Sequence, residues 1–233
     1  MDYRDLESGI QSDHFWFRGK RGLIRTLLEK ARLPQKASIL NIGAGTGDDL
    51  AVISGFGSVY AVDCEQEALD RIEPALVSER RLCDATSLPY ADASFDAVVA
   101  FDVLEHINED RTAVAEIMRV LRPGGAFVFT VPAFGFLFSA HDRQLGHLRR
   151  YTKTMLKDLF GSNFSWIWMG YWMFTLFPLL AAARLIERGE GKASTNAGPL
   201  NGIFSLVLRM ENALISLGLK LPVGSTIYGI CRK

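Results

Sequence analysis

The chain has 233 residues, with 26 basic and 26 acidic side chains and a formal net charge of zero. This length suits one α/β domain with an insertion better than two independent domains. The balanced charge does not favour a surface that attracts nucleic acid. The three cysteines are odd in number and far apart, which predicts reduced thiols, no metal site and a cytoplasmic protein. No basic segment followed by an apolar run opens the sequence, so we expect no secretory signal.

Strands and helices are predicted to alternate along the first 132 residues. The periodic pattern LIRTLLEKA, from Leu23, indicates an amphipathic helix. Further helices are predicted over 48–53, 66–72 and 110–121. Short apolar runs predict five strands, at 38–42, 58–62, 81–83, 95–100 and 126–131. This alternation implies a doubly wound parallel sheet, whose ligands bind beyond the carboxyl ends of the strands.

The chain becomes apolar after the fifth strand. Residues 164–183 carry no charge and include three tryptophans, and a second apolar stretch follows over 200–221 after the polar linker ERGEGKASTNAG. The first stretch is long enough for a membrane span, but its opening residues are needed as a sixth strand, and Pro178 and Arg184 interrupt it. Four roles stay open for the two apolar helices: lying on a bilayer surface, walling a pocket for a hydrophobic acceptor, forming a homodimer interface, or simply packing on the sheet. TIYGIC, at 226–231, predicts the last strand.

A glycine turn, NIGAGTG, follows the first strand. Glycines let a ligand approach the backbone closely, and the next helix begins with free N–H groups. The dinucleotide pattern GxGxxG would require glycine at position 48, where the chain has Asp48. An acid at a helix start also repels a pyrophosphate. A cationic ligand without phosphates therefore fits this turn better.

Two further acids end neighbouring strands. Asp63 closes the second strand about 20 residues beyond the glycine turn, where a carboxylate can accept hydrogen bonds from both ribose hydroxyls. Asp84 follows the third strand and can accept an adenine amino proton. Each acid alone is typical of a loop, but their order and spacing together predict a nucleoside site.

The segments NIGAGTG, AVD, CDATSLPYADASFDAVVAFDVLEHI and EIMRVLRPGGAFVFTVP resemble the class I S-adenosylmethionine-dependent methyltransferases over Ser38 to Pro132. This resemblance implies an α/β, Rossmann-like sheet of seven strands with the last strand antiparallel and the apolar helices inserted between strands six and seven. It implies S-adenosylmethionine as cofactor and S-adenosylhomocysteine as product. One departure is Asn41, because the family usually has an acid there. The implied cofactor residues are Asn41, Gly43, Ala44, Gly45, Gly47, Asp63, Cys64, Asp84, Ala85, Phe101 and Asp102.

The flanking segments HFWFRGKR, LGHLRRYT and LPVGSTIYGICRK resemble bacterial methyltransferases of saccharide or lipid-linked biosynthesis. That narrower resemblance implies a small or lipid-linked acceptor and a place at the inner face of the membrane. The chain then divides into an N-terminal lid and helix (1–36), a cofactor-binding core (37–169), an apolar insertion (170–222) and a final strand (223–233).

Three of the four histidines, His106, His141 and His147, fall at one predicted edge of the sheet. An oxygen acceptor must lose a proton, which a histidine can accept near neutral pH. We therefore hypothesise O-methylation with His141 or His147 as the base. The alternative is that His106, His147 and Arg150 only brace their loops. The residues expected to bind an anionic acceptor are Trp16, Arg18, Arg149, Arg150 and Tyr151.

Two other functions stay open. A quinone or polyketide ring methyltransferase would explain the aromatic residues near Trp16 and over 134–138 equally well. A non-catalytic cofactor-binding module that docks on membranes is the second alternative, which Asn41 favours and the histidines disfavour. Nucleic-acid methylation is not favoured, because FDVL stands where an NPPY-type motif would follow the fourth strand.

Overall fold

A computed structural model describes residues 14–186 and 198–233. The opening of the predicted lid, up to residue 13, and the polar linker over 187–197 lie outside the described residues. The remaining chain forms one seven-stranded sheet flanked by helices.

The strand order across the sheet is β3-β2-β1-β4-β5-β7-β6. The first five strands pair in parallel, and β7 is antiparallel to both β5 and β6. The expected α/β, Rossmann-like class with an antiparallel last strand is therefore confirmed. The strands are β1 (Ala37–Ile42), β2 (Gly57–Asp63), β3 (Glu79–Leu82), β4 (Phe95–Phe101), β5 (Leu121–Pro132), β6 (Ser165–Trp172) and β7 (Thr226–Arg232). The helices are α1 (Phe15–Ala31), α2 (Leu50–Ile53), α3 (Gln66–Asp70), α4 (Asp110–Val120), α5 (Ala140–Leu145), α6 (Lys153–Phe160), α7 (Phe177–Ile186) and α8 (Asn201–Ser216).

Two apolar cores cover the two faces of the sheet. Along β1, Ile39 packs into one core while Leu40 and Ile42 pack into the other, as the alternation of side chains along a strand requires. The first core includes residues of α1, α2 and α8, and the second includes residues of α4 and α6. The central strands are therefore buried on both faces, which explains their continuous apolar runs.

The insertion helices α7 and α8 lie between β6 and β7, as expected. Because β6 continues to Trp172, the helical part of the insertion begins only with α7 at Phe177. No helix within the described ranges is both long and apolar enough to cross a membrane. The buried Glu211 of α8 accepts hydrogen bonds from the backbone N–H groups of Phe174 and Thr175, both at 3.1 Å. This contact fixes α8 to the end of the sheet.

Helix α1 packs closely against α8. A Cβ atom on Gly19 would lie 2.6 Å from Cδ1 of Leu208, and one on Gly22 would lie 2.7 Å from Nδ2 of Asn212. The Asn212 amide accepts a hydrogen bond from the indole of Trp172 at 2.9 Å and donates one to the carbonyl of Gly19 at 2.8 Å. The insertion therefore joins the N-terminal helix to the sheet.

Candidate functional site

The glycine turn follows β1 at the carboxyl edge of the sheet. Gly43, Gly45 and Gly47 all have positive φ angles, of 66°, 52° and 88°, a backbone region that favours glycine. The N–H of Ala44 donates to the carbonyl of Val62 at 3.1 Å. A Cβ atom on Gly43 would lie 2.4 Å from Cγ2 of Val103. The turn is therefore held between the ends of β2 and β4.

Asp63 closes the turn from β2. Its carboxylate accepts hydrogen bonds from the N–H of Gly45 at 2.7 Å and from the N–H of Glu65 at 3.0 Å. Both donors belong to adjoining loops, so the acid is fixed in orientation before any ligand arrives. The neighbouring Cys64 is exposed.

Asp84 lies in the loop after β3. It accepts hydrogen bonds from the backbone N–H and the hydroxyl of Thr86, at 2.7 and 2.6 Å. These bonds lower the pKa of Asp84 below its ordinary value. Ala85 packs partly buried against the second core. The loop therefore presents an ionised carboxylate beside an apolar surface.

Two polar side chains are buried near the glycine turn. Asn41, in β1, is 4% exposed, and Asp49, at the start of α2, is 6% exposed. Oδ1 of Asp49 finds no hydrogen-bond partner among the described residues. Burial raises the pKa of Asp49, and the charge of Lys20 opposes that rise.

Asp102 lies just past β4 and meets a lysine from α1. The Lys20 ammonium is fully buried; it donates hydrogen bonds to the Asp102 carboxylate and, at 2.7 Å, to the hydroxyl of Thr130. That hydroxyl donates in turn to Asp102 at 2.9 Å. Although burial alone would raise the pKa of Asp102, Lys20 holds it below its ordinary value. Phe101, before it in β4, is buried in the first core.

Three side chains of types that can bind a metal ion meet beyond the ends of β4 and β5. One donor atom from each of Glu105, His106 and His147 lies within 4.8 Å of the other two. The two imidazole rings stand edge to face, with centroids 4.8 Å apart. Glu105 is fully buried. We call these three residues the Glu-His-His cluster.

The buried Asp142 of α5 organises the loop that carries His147. It lies 2.8 Å from Nδ1 of His147 and accepts a hydrogen bond from Nε of Arg150 at 2.8 Å. Although burial alone would raise the pKa of Asp142, these two partners lower it. His141 stands outside the Glu-His-His cluster. Burial first, and then the charge of Arg184, lower the pKa of His141 to about 4.

The residues expected to bind an anionic acceptor mostly have intramolecular partners. Arg150 is buried on Asp142, and Arg149 forms an ion pair with Asp110 at 2.7 Å. The buried Tyr151 hydroxyl donates to the carbonyl of Leu104 at 3.0 Å. Arg149 and Tyr151 therefore join the loop after β5 to the segment after β4, while Arg150 has its partners within the segment after β5.

The two N-terminal candidates lie on α1. The ring of Trp16 stands 5.1 Å from the Lys20 ammonium and 6.3 Å from the ring of Trp172, whereas Arg18 is exposed.

Sequence reasoning missed four polar residues of the site: Lys20, Asp49, Glu105 and Asp142. Glu105 is adjacent to His106 within LEHI. Two neighbouring residues of types that bind metals were therefore a signal in the sequence. Lys20 stood within a run of cations, which resembles a solvated surface. Burial of single members of such runs depends on distant packing and leaves no local pattern.

The part of the chain that matches a known family runs from β1 to β5. Residues 40–129 match the family described as "Methyltransferase domain". An O-methyltransferase, cnsE, of Penicillium expansum is 36% identical over 40% of the chain and 37% of its own length. A demethylmenaquinone methyltransferase of Clavibacter sepedonicus is 35% identical over 45% of the chain and 46% of its own length. The chain thus spans less than half the length of these relatives.

Solved structures share the fold over nearly the whole chain. The [4+2]-cyclase SpnF has a TM-score of 0.61 at 21% identity, covering 91% of this chain and 81% of its own. Phosphoethanolamine N-methyltransferase 2 of Haemonchus contortus, solved with S-adenosyl-L-methionine, has a TM-score of 0.61 at 18% identity, covering 91% and 52%. At these identities the likeness concerns the fold.

Proposed function

We propose that this chain, a member of the class I S-adenosylmethionine-dependent methyltransferase family, transfers a methyl group from S-adenosylmethionine to a hydroxyl of a hydrophobic acceptor. The observation that carries the proposal is the glycine turn closed by Asp63. The carboxylate is already oriented by the N–H of Gly45, at the position where acids of this fold accept ribose hydroxyls. When bound, the cofactor supplies a methyl group on a sulfonium.

The buried polar groups beside the turn suit the amino-acid end of this cofactor. The orphan oxygen of Asp49 offers an acceptor for an ammonium group, and the amide of Asn41 offers another. Asp49 can thereby supply the negative charge that Asn41 lacks. The residues present therefore fit the group.

The Glu-His-His cluster supports an oxygen acceptor. Loss of the hydroxyl proton must accompany attack on the methyl carbon, and this cluster gathers proton-handling groups past the strands beside the turn. Of the two histidines first considered as base, His147 belongs to the cluster and is oriented by Asp142. His141, by contrast, stands outside it. We therefore assign the proton step to the Glu-His-His cluster, which includes His147, and not to His141.

An aromatic cluster supports a hydrophobic acceptor over an anionic one. The ring of Phe134 stacks on Phe136 and Tyr171, with centroids 5.4 and 5.3 Å away, and meets Phe177 at 6.0 Å. These residues join the loop after β5 to α7. Arg149 and Arg150 have carboxylate partners instead. The same rings favour an aromatic acceptor methylated at ring carbon as the second candidate. One relative is named a demethylmenaquinone methyltransferase.

The outer face of α8 supports a lipid-linked acceptor. Five apolar side chains spaced three or four residues apart are 46% to 84% exposed; they define the α8 stripe, made of Ile203, Leu206, Met210, Leu214 and Leu217. The exposed charges beside this stripe are the cations Arg209 and Lys220, whereas Glu211 is buried. An apolar stripe flanked by cations matches a helix lying on an anionic bilayer surface.

The first test is titration calorimetry with S-adenosylmethionine and S-adenosylhomocysteine, followed by turnover to S-adenosylhomocysteine with hydrophobic phenols and lipid-linked hydroxyl compounds. We expect both ligands to bind and at least one acceptor to be methylated at oxygen. Replacement of His147 by alanine should abolish turnover and spare cofactor binding. Absence of binding by folded protein would refute the proposal, and transfer to ring carbon would favour the second candidate.

A separate test addresses the α8 stripe. We expect the protein to sediment with vesicles of anionic phospholipid, and the double variant Ile203→Gln/Met210→Gln to sediment several-fold less. Neutral phosphatidylcholine vesicles should bind less than anionic ones. If the variant instead converts a dimer into a monomer without changing sedimentation, the stripe is a subunit interface.

A further inference from the structure

The Glu-His-His cluster contains a carboxylate with no visible partner. Glu105 is fully buried, and neither of its carboxylate oxygens has a hydrogen-bond partner among the described residues. A buried carboxylate without donors is costly, so such groups are normally paired or coordinate a metal. The other two members of the cluster are imidazoles, whose ring nitrogens can either bind a metal ion or accept a proton.

The donor set is one that metal ions prefer. A carboxylate oxygen and two imidazole nitrogens bind Zn²⁺ and the other divalent first-row ions. Metal–ligand bonds of about 2.0 to 2.2 Å bring ligand atoms within about 4 Å of each other. The three atoms already lie within 4.8 Å, so small side-chain rotations would complete the site.

A second layer of contacts holds these ligands. The Asp142 carboxylate lies 2.8 Å from Nδ1 of His147, which leaves Nε2 as the nitrogen for a metal. A carboxylate behind a histidine in this way is the usual support for a metal ligand. The N–H of Leu148 donates to the carbonyl of Glu105 at 2.8 Å. This bond fixes the loop of His147 against the loop that carries Glu105 and His106.

We propose that Glu105, His106 and His147 bind one divalent first-row transition-metal ion at the acceptor side of the site. The sequence predicted no metal, because that expectation rested on the cysteines. Here the ligands are histidine and glutamate, and they converge only when the loops after β4 and β5 meet.

Three protein ligands leave coordination positions open, and this suggests a role that rests on the proposed function. An acceptor hydroxyl bound there loses its proton more readily. The O–H bond breaks and the proton passes to water. The oxygen then forms a bond to the methyl carbon as the carbon–sulfur bond breaks, and the electron pair of that bond remains on sulfur. His147 then acts as a ligand and does not itself take up the proton.

The test begins with chelator-treated protein titrated with Co²⁺, followed by visible absorption, and with Zn²⁺, followed by competition for the cobalt signal. We expect one ion per chain. The variants Glu105→Gln, His106→Ala and His147→Ala should each weaken binding at least about tenfold. The matched control His141→Ala removes a histidine of the adjoining helix outside the cluster, and it should retain the ion.

Two outcomes would overturn the site. One is no stoichiometric ion on folded wild-type protein, as judged by circular dichroism, which would identify Glu105 as a buried protonated acid. The other is an equal loss of affinity in His141→Ala and His147→Ala. Calorimetry with S-adenosylmethionine on the same samples separates the two proposals. Cofactor binding without metal refutes only the metal site, and metal binding without cofactor refutes the proposed function.

Discussion

Two carboxylates at the same edge of the sheet differ in how they are satisfied. Asp63 accepts from Gly45 and Glu65, which are close to it in the sequence. Past the end of β4, the Asp102 carboxylate is paired with Lys20, 82 residues away. Glu105, in the same segment, has no hydrogen-bond partner among the described residues. We infer that the proposed cofactor side, at the end of β2, is preorganised by local backbone contacts. The end of β4, where the proposed acceptor side begins, depends instead on a distant helix and leaves one buried carboxylate unsatisfied among the described residues.

The largest expected effect concerns the distant ion pair. Replacing Lys20 by methionine leaves the Asp102 carboxylate, whose side chain is only 15% exposed, without its counterion. We expect the free energy of unfolding to fall by about 3 to 5 kcal/mol, measured by urea denaturation. The exposed Arg25 on the same helix supplies the control Arg25→Met, which should change stability little. A loss under about 1 kcal/mol in Lys20→Met would show that α1 is not fixed through this pair.

The next effect concerns the local side. The change Asp63→Ala removes the proposed acceptor of the ribose hydroxyls and frees the Gly45 N–H. Hydrogen bonds to charged groups contribute about 1.5 to 3 kcal/mol each, so we expect calorimetry to show S-adenosylmethionine affinity reduced at least about 100-fold. The exposed acid Asp70 gives the control Asp70→Ala, with affinity unchanged. Retained affinity in Asp63→Ala would place the cofactor elsewhere.

A third effect follows from His141, which flanks the acceptor side. Its pKa is lowered from 6.5 to about 4 in the folded protein, so the unfolded chain binds the proton more readily. Stability is fully present above pH 6.5 and is lost as the pH falls toward 4. We expect about 2 kcal/mol less stability at pH 5 than at pH 7 from this group.

The control for that effect is His141→Gln, which cannot titrate in this range. Denaturant curves at pH 5 and pH 7 should differ less for the variant than for the wild type. Identical pH dependence of the two proteins would show that His141 is not desolvated in the fold.

The smallest effect has the opposite sign. In chelator-treated protein, Glu105→Met replaces an unpartnered buried carboxylate by an apolar side chain of similar length. We expect stability to rise by about 1 to 2 kcal/mol, measured by urea denaturation. The partnered acid should not behave this way, so Asp63→Asn should leave stability equal or lower. Destabilisation by Glu105→Met would mean that the carboxylate has a stabilising partner.

The proposed cofactor side, which is organised by local contacts, is also the part of the site that the sequence predicts. The glycine turn and the strands up to β4 lie close to their predicted positions, because their signals depend on neighbours within a few residues. Strand β5 begins at Leu121, five residues earlier than predicted. Strand β3 begins two residues earlier than predicted, since it is a short edge strand and its charged residues carry no apolar signal. The confirmed fold class rests on these elements.

The acceptor side could be predicted only in part. Helix α1 begins at Phe15 rather than Leu23. The two glycines between these residues disfavour a helix by propensity, whereas packing on α8 requires them. Arg150 is a cation of the kind that binds anions, yet its side chain is buried and forms an ion pair with Asp142. Tertiary packing decides which cation faces a ligand and which supports a loop. The spacing of residues along the sequence therefore does not reveal it.

The contact between α1 and α8 has a consequence for biosynthesis. The Gly19 carbonyl and the Asn212 amide that join these helices are 193 residues apart. As the chain leaves the ribosome, α1 emerges long before its docking surface on α8. Contacts of such long sequence separation form slowly, after the loops between them have closed. The contact between α1 and α8 therefore waits for a helix synthesised long after α1, and a nascent chain stalled before α8 would lack both this docking surface and β7.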